Sequence, residues 1–104
     1  MPKRYKLVVG VPVTDADKIR KLLSDLGAGA TGNYDSTSFS VRGTGRFRPL
    51  KGAKPAIGEI GKLEEVEEER IETIVTEDKL ERVVKELRLC HPYEEPVIDV
   101  YELK

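Results

Sequence analysis

Two stretches of this chain carry an apolar stripe at helical spacing, and each follows a short β-branched run. In "TEDKLERVVKELRLC", Leu80, Val83, Val84, Leu87 and Cys90 recur at three- and four-residue intervals, so one side of a helix is apolar. Thr76 is placed to cap that helix, and Glu77 and Asp78 suit its positive first turn. Glu81/Lys85 and Arg82/Glu86 stand four apart on the wet side. In "TDADKIRKLLSDLGAG", the stripe is Ala16, Ile19, Leu22, Leu23 and Leu26. Thr14 is the expected cap there, and Gly27 the left-handed stop.

The strands are read between these helices. "YKLVVGV", from Tyr5 to Val11, is short, β-branched and closed by Pro12. "YDSTSFSV", from Tyr34 to Val41, has strand-type residues and no helical stripe. Residues Ile71 to Val75 extend back into an acidic run, predicting one long strand with a charged, exposed start. Val97 to Leu103 is the last strand. Between Gly43 and Gly61, five of nine glycines and two prolines accumulate, so a long loop or a hairpin with irregular arms is expected. The order β-α-β-β-α-β is an α+β, ferredoxin-like split arrangement: a four-stranded antiparallel sheet with two helices on one face. A half-exposed sheet should alternate apolar and polar residues. The first and last strands are apolar on both sides, with Leu7, Val9 and Val11 opposite Val8, and Val97, Tyr101 and Leu103 opposite Ile98 and Val100. The uncovered face wants a partner, and a homo-oligomer is predicted.

At 104 residues the chain is read as a single domain spanning 1–104. Its 18 basic and 19 acidic residues leave a net charge of −1, so a nucleic-acid partner is not expected and any basic surface is local. No segment approaches the roughly 20 apolar residues of a membrane span. The N-terminal residues do not resemble a signal peptide, and one cysteine fits a reduced, cytoplasmic setting. The 36% of charged residues, with no Trp and one Met, lean toward a thermophilic source.

Three stretches bear on chemistry. The closing "LCHPYEEPVIDVYELK" holds the only cysteine and the only histidine. His91, Glu94 and Glu95 have metal-ligating side chains, and a divalent metal is the cofactor they could take. The same residues also read as a corner: Pro92 ends the helix and pushes His91 into extended geometry. On that reading His91 sits at the carbonyl end of the helix and His91→Ala costs little. Cys90, on the apolar stripe, is expected to be buried and inert, so Cys90→Asp is expected to be severe. The second stretch, "RGTGRFRPLKGAKPAIGEIGK", carries Arg42, Arg46, Arg48, Lys51 and Lys54 with no acid among them. Glycines free backbone N–H groups and Arg forks suit phosphate or carboxylate, so a small anionic ligand is one reading. The other is a hairpin neutralised by the glutamates at 64–69. The third, "GAGATGNYDSTSF", reads as a tight helix-to-strand crossing.

Together, "GAGATGNYDSTSF", "GTGRFRPLKGAKPAIGEIGKLEEVEEERIE" and "HPYEEPVIDVYEL" resemble the inserted middle domain of YqfO-type Nif-three-like proteins, from about Tyr5 to Leu103. The closing HPYEEP also resembles the matching corner of CutA. The resemblance implies a PII/CutA-like domain, a superfamily in which trimers form around packed sheets and ligands bind between subunits. It departs from the usual pattern at Gly10, Thr31 and Thr37. The two-metal site of full-length members lies on flanking domains, so no such activity carries over. The expected function is a non-enzymatic oligomeric module, a trimer favoured, binding a small anionic ligand or a partner protein. A CutA-like divalent-metal-binding protein is the alternative, followed by a hydrolase and then an RNA-binding domain.

Overall fold

The computed structural model describes residues 2–104. Strand β1 spans Arg4–Pro12, a short 3-10 turn spans Val13–Asp15, and helix α1 spans Ala16–Asp25. Strands β2 (Phe39–Phe47) and β3 (Glu64–Thr76) follow, then helix α2 (Glu77–Cys90) and strand β4 (Ile98–Leu103). The sheet order is β2-β3-β1-β4, with every neighbouring pair antiparallel. This is the expected ferredoxin-like order.

One face of the sheet carries the core. Leu7, Val9 and Val11 of β1 and Ile71 and Val75 of β3 pack with Ala16, Ile19 and Leu23 of α1 and Val83 and Leu87 of α2. Alternate strand residues meet both helices, so the helices share that face. Cys90 lies at the edge of the α2 stripe and is half-buried rather than sealed in the core.

The helix ends show which local signals held. Gly27 adopts φ +89°, and the Gly27 N–H to Ser24 O and Ala28 N–H to Leu23 O bonds form a Schellman stop. The start of α1 differs from expectation: the 3-10 turn intervenes, Asp15 takes the cap position, and the Thr14 hydroxyl donates to Asp15 instead. Thr76 does precede α2, but its hydroxyl donates to the Asp78 carboxylate at 2.6 Å.

Several strand boundaries move. The second strand starts at Phe39, not Tyr34, and runs to Phe47. The Thr37 hydroxyl and N–H both bond the Gly29 carbonyl, and the Thr73 hydroxyl bonds the Thr37 carbonyl, which pins residues 29–37 as a folded loop. Gly43 and Gly45, read as loop, lie in the strand because Glu68 and Val66 of β3 are their ladder partners. The last strand begins at Ile98, one residue later than expected. Among the described residues no helix is long and apolar enough to cross a membrane.

Candidate functional site

The end of α2 is a corner stapled to three strands. His91 is extended (φ −70°, ψ 138°), as the residue before Pro92 must be. The residue is 6% exposed, and its ring turns toward β1, not toward the carbonyl end of its own helix. Nδ1 accepts the Tyr93 N–H at 3.0 Å, which leaves the ring hydrogen on Nε2 to be donated to the Gly10 carbonyl at 2.7 Å. The Tyr93 hydroxyl donates to Glu68 Oε2 at 2.7 Å, tying the corner to β3. The Tyr93 ring leans on Phe47 of β2, with centroids 5.7 Å apart. Burial first, then the hydrogen bond and charge of Glu68, push the Tyr93 phenol well above its ordinary value.

Glycine makes this network possible. A Cβ on Gly45 would collide with the Glu68 carboxylate, and one on Gly10 would come within 3.2 Å of it. Glu68 therefore lies over bare backbone on both flanking strands. Sequence reading counted Glu68 only as one of five clustered acids; the strand register that places it between these glycines carries the signal.

The basic residues divide. Arg46 Nε pairs with Glu65 at 3.0 Å, both more than half exposed, so the pair is worth little. Arg42 stands opposite Glu69 in the ladder, but Glu69 is held by Arg20 at 2.6 Å. Lys51 is exposed on the turn. The Lys54 backbone N–H donates to Glu94 Oε1 at 3.0 Å. Arg48 lines a cleft of about 210 Å³ together with Phe47, Pro49, Tyr93, Glu94 and Glu95. The two motifs that sequence treats separately thus meet at one place. A second cleft, of about 360 Å³ on the open face, shares Phe47, Tyr93 and Glu95 and adds Arg46, Glu68 and Asp99.

The three metal-ligating candidates are not gathered. Both His91 nitrogens are engaged, Glu94 receives the hairpin N–H, and Glu95 faces the clefts. Among the described residues no group of three or more His, Cys, Asp or Glu side chains is placed to hold one metal ion.

No protein-family model matches the chain. A GTP cyclohydrolase 1 type 2 homolog of Halalkalibacterium halodurans is 52% identical over 99 residues, which are 95% of this chain and 27% of that protein. A Bacillus cereus protein related to NIF3 matches with TM-score 0.85 and 47% identity, over 99% of this chain and 26% of that one. The chain is similar over nearly its whole length to one segment of YqfO-type, Nif-three-like proteins. It spans about a quarter of the length of the curated relatives it matches. The periplasmic divalent cation tolerance protein CutA of Archaeoglobus fulgidus has TM-score 0.68 at 17% identity, over 97% of this chain and 84% of that one. That likeness shows the fold alone: this chain has a CutA-like architecture.

Proposed function

We propose that this Nif-three-like segment is a homo-oligomeric, non-enzymatic PII/CutA-like module, a trimer by family resemblance, that holds a small anionic ligand where the hairpin meets the corner. The observation that carries this reading is the position of Arg48. It lines a cleft built jointly by both motifs and, among the described residues, has no ion-pair partner. Assembly is supported by Phe39, Val41 and Tyr101, which leave 66%, 49% and 53% of their surface exposed along the open face. One half-buried thiol suits a reducing cytoplasm.

Calorimetric titration with a panel of nucleotides and organic anions tests the reading. Each charge-assisted contact is worth about 1.5–3 kcal/mol, so changing Arg46 and Arg48 together to Ala should weaken binding by about tenfold or more, through the loss of Arg48. Silence across the panel, with a lowered melting temperature in the double mutant, would make the basic arm purely structural.

The second reading is a divalent cation at Glu94 and Glu95, favoured by two adjacent carboxylates on a fold shared with proteins named for divalent cation tolerance. His91 would join only by giving up a hydrogen bond. Titration with zinc or copper tests it: stoichiometric binding lost in Glu94→Gln/Glu95→Gln would favour this reading over the first.

A further inference from the structure

The cleft between hairpin and corner contains more charge information than Arg48 alone. Its floor and walls are apolar: Phe47, Pro49, Pro55, Ile57 and Tyr93. Its charged lining is one guanidinium, Arg48, facing a site that also presents the carboxylates of Glu94 and Glu95. Other charges of this arm are already used, Arg46 on Glu65 and Lys62 on Glu59. Among the described residues Arg48, Glu94 and Glu95 form no ion pair. Glu94 is tethered only by the neutral Lys54 N–H.

A purely anionic ligand would satisfy Arg48 and bring its charge beside two carboxylates, a like-charge contact that costs affinity. A ligand carrying both signs satisfies the whole lining at once. The apolar walls require an apolar body between or beside those charges. The volume, about 210 Å³, falls below the about 300–1,000 Å³ of drug-sized sites. A small aliphatic metabolite would fill such a cleft, whereas a nucleotide would extend beyond it.

We propose that the hairpin–corner cleft binds a small zwitterion with an apolar body, of the class of the aliphatic α-amino acids: its carboxylate on Arg48, its ammonium on Glu95 or Glu94, and its side chain among Phe47, Pro55 and Tyr93. This rests on the ligand-binding reading above and narrows it, because the carboxylate is the anionic group which that reading expects.

Calorimetry on the full chain with four probes tests the inference: L-leucine, 4-methylpentanoate (no amine), 3-methylbutylamine (no carboxylate) and glycine (no apolar body). L-leucine should bind at least about tenfold more tightly than each of the others, an unmade charge-assisted contact in the two analogues, or the lost burial of the isobutyl group in glycine, being worth that much. Arg48→Gln and Glu95→Gln, both on the exposed surface, should each weaken leucine by about tenfold or more while leaving the melting temperature in place. Either single-charge analogue binding as tightly as leucine overturns the zwitterion inference. If the four probes are silent while nucleotides or organic anions bind, this inference falls and the anionic reading stands. If all are silent, both fall.

Discussion

At the scale of single residues, His91 and Tyr93 decide the corner. The ring of His91 bridges a β1 carbonyl and the Tyr93 amide while buried, so truncating it leaves a buried acceptor and a donor without partners. Sequence suggested that His91→Ala costs little. The network revises this to a loss of about 2–4 kcal/mol, read from urea denaturation, with helix and strand content retained. A loss under about 0.5 kcal/mol would mean that water replaces both bonds. Tyr93 makes a pH-dependent contribution. Its phenol is raised in the folded state by burial and by Glu68, whereas the unfolded side chain ionises near the ordinary tyrosine value of 10.0. The folded state therefore holds its advantage below about pH 10 and loses it as pH rises above that value. Denaturation of the parent and of Tyr93→Phe, compared from about pH 8 to about pH 11, should show a stability difference that shrinks across that window. A constant difference would remove Tyr93 as the source.

At the scale of elements, α2 offers a contrast between two leucines two positions apart. Leu87 is fully buried against the sheet, while Leu89 is 71% exposed. Leu87→Ala should cost about 2–5 kcal/mol and Leu89→Ala less than about 0.5, both measured by chemical denaturation. Equal losses would mean that assembly buries Leu89 as deeply as folding buries Leu87. Cys90 falls between them. The partial exposure of this residue makes Cys90→Asp milder than at a sealed core position, because water can reach the new carboxylate. The β2–β3 ribbon shows how an element can hide from its sequence. Glycine and arginine in Arg42–Phe47 signal loop, and glutamate in Glu64–Glu69 is a good helix former, yet each supplies the other's ladder partners.

At the scale of the whole molecule, the shape is uneven: 47 × 23 × 23 Å. β1 pairs with β3 only from Thr76 to Glu68, so Glu64–Glu67 and their β2 partners project as a two-stranded arm. Leu50, Ile60 and Leu63 are all at least half exposed near its tip. The sheet edges also differ in sign. β2 carries Arg42 and Arg46 with no acid, while β4 carries Asp99 and Glu102 with no base. Opposite edges of opposite charge fit head-to-tail contacts that close into a ring. Light scattering after size exclusion should give a multiple of the 11.7 kDa chain, with dissociation favoured by high salt. A clean monomer at micromolar concentration would sink the oligomer.

What the sequence by itself determined was local. Two helical stripes, the glycine stop after Leu26, the proline-set corner at His91 and the order of elements follow from patterns spanning a few residues, which backbone sterics and burial of one face enforce wherever they occur. The strand order and the sharing of one face by both helices came with that order of elements. Only the tertiary structure decided where β2 begins, because Thr37 and Gly29 hold the preceding loop through bonds to each other and to β3. It alone decided that Arg48 and Glu94, 46 positions apart by their numbering, line the same cleft, and that Glu68 lies over Gly10 and Gly45. Those outcomes depend on strand register. A slip of one residue would send the Glu68 side chain to the opposite face, and no pattern within a single segment encodes which register the other strand will supply.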